Sequence, residues 1–328
     1  MCNRVNLFKY ATSELSQDAF VAWLLAWAAP EHNGPMHDLG SNFLRYIYDA
    51  CQKTMPAVAK IDIEKQTDNI DITCQINGND ELILIEDKAG TVQHSDQLKR
   101  YLDAMKQRGY TSILPVYIQT GDQSDYGKVQ KDGYTVITRQ NLLDFFKDNS
   151  ALRDGAKNQI LNDFIEYLEG IECRVQSYKT AVLENWIWES WIGFYQELQK
   201  RLGEGGWGYV PNPSGGFLGY WWRWLGNDDG EQYLQLEQER LCVKICCETK
   251  GKSREVMYKY REHFIAEGKK QGFEIERPAR LRAGIYTTVA ILEGYRKTDA
   301  SGKIDMDATV GWLQQFGDFF DQTVSQMK

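Results

Sequence analysis

The stretch LILIEDKAG, residues 82–90, runs from four apolar residues straight into Glu86, Asp87 and Lys88 and stops at Gly90. An unbroken apolar run of this kind reads as a strand buried on both faces. Charges at its end do nothing for stability, because a buried unpaired charge costs several kcal/mol or more. A compensating group is therefore expected where this strand ends.

The residues just before it supply one. The strand-like runs VAKIDIEKQ (58–66) and NIDITCQIN (69–77) are joined to each other and to ELILIEDK (81–88) by the short connections TD and NGND, as antiparallel hairpins are. With Ile76 opposite Glu81, Asp71 falls directly opposite Glu86. Any other turn of even length keeps both on one face, since side chains alternate with period two. Opposed residues have Cβ atoms about 4.5–5.5 Å apart, where like charges repel. Two facing carboxylates on a central sheet point to a raised pKa or a bound cation, and oxygen ligands suit Mg²⁺ or Mn²⁺. Lys88 shares that face, where an ammonium can orient water beside a metal. Asp87 points the other way, so its side chain is expected outside the site while its backbone carbonyl can still reach the metal. A plain cross-strand ion pair is the competing reading of the three. Glu64 joins them if Gln66 pairs with Asn69; otherwise it is exposed polarity.

Working outward, Thr12, Ser13 and Ser16 can each cap a helix that opens with Glu14 and Asp18 and continues with Phe20, Trp23, Leu24 and Trp27 until Pro30 and Gly34. A second helical stretch covers about 42–51. After the third strand a helix is expected over about 93–108 on Leu98, Leu102 and Met105. SILPVYIQ (112–119) is then a strand parallel to its neighbour, YTVIT (134–138) a further strand, and helices follow near 140–147 and 157–169. The order is α-β-β-β-α-β, an α/β fold with a mixed sheet.

Asp71, with Glu86-Asp87-Lys88 fifteen residues on and both on the second and third strands of such a unit, resembles the PD-(D/E)XK nuclease superfamily and its restriction-endonuclease-like core, over residues 6–120. Ile70 stands where that family usually has proline. Gln97 and Tyr101 form the Q-x-x-x-Y pattern of its exonuclease-like branches, at i and i+4 on one helix face. The opening NLFKYATSELSQDAFVAWLL (6–25) is similar to the start of a stand-alone bacterial branch. The resemblance implies metal-dependent phosphodiester hydrolysis, with DNA favoured over RNA. Asp71, Glu86 and the Asp87 carbonyl would hold Mg²⁺ or Mn²⁺, and Lys88 would position the attacking water. Glu14 would serve as outer ligand or base, and Gln97 and Tyr101 would hold the substrate or the lysine. Blander roles remain open: Glu14 as complement to a helix N-terminus, Gln97 and Tyr101 as half-buried helix residues, His94 as a surface imidazole rather than a phosphate contact. Two other functions also stay open: an inactive nucleic-acid-binding or sensing module, and a host-defence nuclease triggered by phage protein.

The 328 residues suggest two domains: a nuclease-like domain over 1–170 and, over 171–328, a long bridging helix and an α+β region. The helix is expected over 175–202 on Leu183, Ile187, Trp191, Phe194, Leu198 and Leu202. Strands are expected in GGFLGYWWRWLG (215–226), YLQLEQE (233–239), LCVKICCE (241–248) and IYTTVAILEG (285–294), and helices over 253–272 and the last twenty or so residues. Tyr220, Trp222 and Trp224 should share one strand face and Phe217, Trp221 and Arg223 the other, as core or as a platform for unpaired bases. Cys242, Cys246 and Cys247 lack the matching pair of a zinc site and read as small buried hydrophobes. Basic residues from Lys250 to Arg282 are diluted by glutamates, leaving a solvated face or a surface for nucleic acid, a protein partner or a second copy. A net charge of −8 argues against a broad basic surface. No apolar run approaches the roughly 18 residues that span a membrane. MCNRVNLFKY lacks a secretory core, and seven cysteines without a framework fit reduced thiols, so a cytoplasmic protein with no membrane partner is expected.

Overall fold

The computed structural model describes residues 5–78, 81–90, 96–212, 215–247, 253–279 and 284–327. His94, Glu248, Lys250, Lys252, Arg280 and Arg282 lie outside the described residues. The chain divides into two compact units, 1–173 and 174–328.

In the first unit α1 (Glu14–Ala26) and α2 (Pro35–Ala50) precede β1 (Ile61–Thr67), β2 (Ile70–Ile76) and β3 (Glu81–Lys88). Then come α3 (Gln97–Gln107), β4 (Ser112–Gln119), α4 (Gly127–Lys131), β5 (Thr135–Thr138), α5 (Arg139–Asp148), α6 (Ser150–Ala156) and α7 (Gln159–Gln176). The sheet order is β1-β2-β3-β4-β5, antiparallel through β3 and parallel from there on. The α-β-β-β-α-β core with its mixed sheet is therefore present.

The apolar run of β3 is covered on both sides. Ile83 and Ile85 enter a core with Leu24, Leu44 and Phe164, while Leu82 and Leu84 pack with Leu98, Leu102 and Met105 of α3. Alternation then carries Glu86 to the α3 side and Asp87 to the α1 side. The β1–β2 turn is Asp68-Asn69, both with positive φ (59° and 65°), the geometry of a type I′ hairpin. Because Thr67 pairs with Ile70, Glu64 faces Thr73 and Gln66 takes the place beside Asp71. The alternative in which Glu64 joins the carboxylates is thereby removed.

The second unit holds α8 (Trp188–Leu202), β6 (Gly206–Val210), β7 (Phe217–Asn227), β8 (Gly230–Glu237), β9 (Arg240–Cys246), α9 (Ser253–Gln271), β10 (Tyr286–Glu293) and α10 (Met306–Ser325). Its sheet runs β10-β9-β8-β7-β6, antiparallel throughout. The helix expected over 175–202 is broken: α7 ends at Gln176 and α8 starts at Trp188. Serine hydroxyls compete for the backbone here. Ser177 donates to the Arg174 carbonyl at 2.6 Å, and the Ile187 N–H donates to Ser190 Oγ at 3.1 Å. α8 folds back so closely that a Cβ on Gly193 would stand 2.0 Å from the Val175 carbonyl oxygen. The apolar spacing of Trp191, Phe194 and Leu198 does not register this break, although Ile187 of the same expected stripe is exposed.

β7 also departs from simple alternation. Trp222 pairs with Leu234 but Leu225 with Gln232, so one extra residue is inserted, and Arg223 takes φ 55°. Tyr220 and Trp222 stay in the core, while Trp224 leaves their face and stacks on Tyr233 with ring centroids 4.0 Å apart. Arg223 is held by Asp321 and Asp318 of α10 at 2.9 and 3.1 Å. Cys242 and Cys247 are buried, and burial pushes the Cys242 thiol up to about 12. Much of the basic stretch is paired: Lys259 with Asp229, Arg261 and Arg277 with Glu262, Lys270 with Glu267. No described helix is long and apolar enough to cross a membrane.

Gly193→Ala separates a continuous helix from a folded-back one. In a continuous helix alanine would stabilise by roughly 0.5–1 kcal/mol. Against the Val175 carbonyl it should instead cost about 1–3 kcal/mol, read as a lowered denaturation midpoint.

Candidate active site

At the end of β3 the chain gathers three carboxylates around one ammonium. The β2–β3 register pairs Ile72 with Ile85, and one residue further it sets Asp71 opposite Glu86. Lys88 Nζ lies 2.6 Å from Glu86 Oε1, 3.7 Å from Asp71 Oδ2 and 3.9 Å from Glu14 Oε2, and it donates to the Asp87 carbonyl at 3.0 Å. Glu14 reaches this point from the first turn of α1, and its Oε1 accepts from the Ala89 N–H at 3.3 Å. Glu14, Asp71, Glu86 and Lys88 are thus brought together.

Glu86 and Lys88 are buried. Burial pushes the Glu86 carboxyl up, Asp71 across the strand pair adds to this, and Lys88 only partly offsets them, leaving it at about 7. For Lys88, burial alone would lower its pKa, but Glu86, Asp71 and Glu14 outweigh that and raise it. The ammonium therefore stays charged at neutral pH.

Gln97, at the start of α3, donates from Nε2 to Glu86 Oε1 at 3.0 Å and to the Tyr101 hydroxyl at 2.7 Å. It holds the carboxylate rather than the lysine. Burial raises the Tyr101 phenol, which keeps its proton and remains a donor.

Asp87 plays a different part. Its backbone N–H donates to Asp71 Oδ2 at 2.8 Å, so the residue orients the aspartate across the hairpin. Its fully buried side chain points to α1, where Gln17 Nε2 donates to Oδ1 and Gln17 Oε1 accepts from the Thr120 hydroxyl. Asp18, also buried, lies against it. Burial pushes the Asp87 carboxyl well above the usual carboxylate range, with Asp18 adding to the rise against the hydrogen bond from Gln17. Asp87 Oδ2 and Asp18 Oδ1 are both buried without a hydrogen-bond partner among the described residues, and burial raises both carboxyls, so protonation of one would relieve the charge between them. Gln66 Nε2 then bridges Asp18 Oδ2 at 2.9 Å and Asp71 Oδ1 at 3.1 Å.

Further support lies behind. The Thr120 N–H donates to the Lys88 carbonyl at 3.0 Å, and Arg139, itself buried, donates to the Thr120 carbonyl at 2.7 Å while pairing with Asp122 and Glu172. A Cβ on Gly121 would meet the Ala89 carbonyl oxygen at 2.0 Å, so nothing larger than glycine fits beside the strand end.

A family model described as the PD-(D/E)XK nuclease superfamily matches residues 5–169, half of the chain. The chain belongs to the PD-(D/E)XK nuclease superfamily. Comparison with curated proteins and with solved structures gives no match. The family suggests a nuclease with a nucleic acid substrate, and the matched residues 5–169 include the triplet Glu86-Asp87-Lys88 and the spaced Asp71. Gln17, Asp18, Gln66 and Thr120 are additions that periodicity and motif spacing do not single out. Asp18 reads from the sequence only as a helix-end charge; the structure turns it towards the sheet.

The Asp87 pair yields a prediction at neutral pH. Asp87→Asn removes the carboxyl that burial already disfavours as an anion, keeps an oxygen for Gln17, and should stay within about 1 kcal/mol of the parent protein. Asp87→Ala leaves Gln17 and Asp18 without their buried partner and should cost about 1–3 kcal/mol in chemical denaturation.

Proposed function

We propose that this chain is a divalent-metal-dependent nuclease that hydrolyses phosphodiester bonds, with DNA favoured over RNA. The observation that carries the reading is the state of Glu86. Gln97 and Lys88 both hold its Oε1, while its buried Oε2 has no described hydrogen-bond partner. A buried carboxylate oxygen left open beside Asp71 is a natural ligand for a hard cation. Asp71, Glu86 and the Asp87 carbonyl would hold Mg²⁺ or Mn²⁺; three carboxylates against one ammonium leave negative charge for it to balance. Among the described residues no three His, Cys, Asp or Glu side chains form a ready metal cage. The centre of the group is taken by the Lys88 ammonium.

When bound, the cation supplies Lewis acidity at the scissile phosphate and makes water a stronger acid. The chain's own residues do the rest. Without a cation Lys88 is anchored on Glu86 and the Asp87 carbonyl, and its donors would turn to orient water once a cation takes those oxygens. Glu14, partly exposed and 3.9 Å from Lys88 Nζ, would accept that water's proton as oxygen attacks phosphorus and the ester bond to the leaving oxygen breaks. Gln97 fixes Glu86, and the Tyr101 hydroxyl is free to donate to a phosphate oxygen.

Glu86→Ala and Lys88→Ala should each lower kcat for Mg²⁺-dependent cleavage by about 10²–10⁴-fold. Linear, nicked and single-stranded DNA and the matching RNA are the substrates to compare. Undiminished cleavage by both variants would end the assignment, and a parent protein that binds but never cuts would make this a binding module.

Cation binding should also depend on pH in a stated direction. Below about pH 7 Glu86 is protonated in the metal-free protein, so a cation must expel that proton. Mn²⁺ affinity should therefore weaken by up to about tenfold per unit as pH falls from 7 and level off above it. Calorimetric titration in buffers of different ionisation enthalpy checks this; equal affinity at pH 6 and pH 8 without proton release contradicts it.

A further inference from the structure

Next to the carboxylates lies a cleft of about 540 Å³, lined by Gln66 and Asn69 of the β1–β2 hairpin and by Gln97, Arg100, Tyr101 and Ala104 of α3. Its size falls among pockets that take one small ligand, roughly 300–1,000 Å³. Asp68 at the hairpin tip pairs with Arg108 one turn beyond Ala104, tying the hairpin to the helix past the cleft. The donors inside are sorted by what the site has already used. The amide hydrogens of Gln97 go to Glu86 and Tyr101, and those of Gln66 to Asp18 and Asp71, so each presents only its carbonyl oxygen. Tyr101 accepts from Gln97 and keeps its own proton for another acceptor. Arg100 is exposed and has no carboxylate partner among the described residues, although acids outnumber bases in the chain.

We propose that this cleft seats the single nucleotide adjoining the cleaved bond, with Arg100 gripping its phosphodiester and the Tyr101 hydroxyl donating to the same or the scissile phosphate. The proposal rests on the phosphodiester-cleaving reading of the site and adds to it a substrate position and a binding residue. An unpaired guanidinium presents a fork of donors that matches two phosphate oxygens. Set between Gln97 and Tyr101 in α3, it places that grip within one helical turn of the residue that holds Glu86. The carbonyl oxygens of Gln66 and Gln97 and the Asn69 amide line the same cleft and would be available to a nucleotide's sugar hydroxyl or base N–H groups.

The test combines Arg100→Ala and Arg100→Lys with single-stranded oligonucleotides carrying one uncharged methylphosphonate, moved phosphate by phosphate across the cleavage position. In the parent protein one flanking position should raise KM tenfold or more with little change in kcat. In Arg100→Ala the same substitution should add nothing further, and Arg100→Lys should restore part of the loss. The log–log salt dependence of binding should fall by about 0.7 in Arg100→Ala, the share of one phosphate contact on a single strand. Binding is also measured by fluorescence anisotropy with Ca²⁺ in place of Mg²⁺, so the coupling is read even if nothing is cut. Absent cleavage with coupling intact would sink the catalytic reading and keep the subsite. Cleavage with independent effects of the Arg100 and methylphosphonate changes, or an unchanged salt slope, would overturn the subsite.

Discussion

The first unit is organised around a repulsion that it does not remove. Asp71 and Glu86 sit opposite each other on paired strands, Glu14 joins them from α1, and one lysine stands among the three. Burial makes this expensive, which is why the Glu86 carboxyl rises to about 7. The arrangement persists because the strand that carries it has no freedom to slip. Leu82 and Leu84 are committed to α3, Ile83 and Ile85 to the opposite core, and a shift of one residue would exchange the two sets. The apolar run thus fixes the position of the charges that follow it.

The surrounding hydrogen bonds hold each of these carboxyl groups in place without spending a second cationic side chain on it. Asp71 is held by the Asp87 N–H and Gln66, Glu86 by Gln97, and Asp87 by Gln17, with Thr120 and Arg139 continuing the chain into the core. Glutamine suits this role because its amide donates two hydrogen bonds and brings no charge. Gln66 and Gln97 each spend both on the site, and each ties Asp71 or Glu86 to a second group.

The features legible in the sequence are those governed by short-range periodicity. The pairing of Asp71 with Glu86 follows from alternation and turn length, and the separation of Asp87 from Glu86 from alternation alone. Gln97 and Tyr101 follow from helical spacing. What escaped depends on contacts between distant segments. Gln17 and Asp18 look like ordinary helix residues until α1 is laid against the end of β3. Gln66 is displaced from its expected neighbour because the turn consists of Asp68 and Asn69, two residues whose positive φ a residue count cannot supply. The second unit shows the same limit. The break between α7 and α8 lies inside an intact apolar pattern, and the bulge at Arg223 turns Trp224 out of a face that alternation assigns to it.

The position of Lys88 explains why Glu14 belongs with the other carboxylates. In the described arrangement the ammonium occupies the centre of the group, 2.6 Å from Glu86. An ammonium and a divalent cation cannot share that place, because like charges so close repel strongly when water is scarce. On the proposed reading, a cation at Glu86 would oblige Lys88 to shift its weight to another partner. In the proposed site the Asp87 carbonyl also goes to the cation, which leaves Glu14, 3.9 Å away, as the partner within reach. Moving towards Glu14 keeps the ammonium charged and satisfied and carries its donors to the side from which α1 overhangs the strand end. Glu14 then does more than complement a helix terminus. On that reading it would give the lysine a second station 3.9 Å away, so that release of Glu86 would be a short movement rather than the exposure of a buried charge.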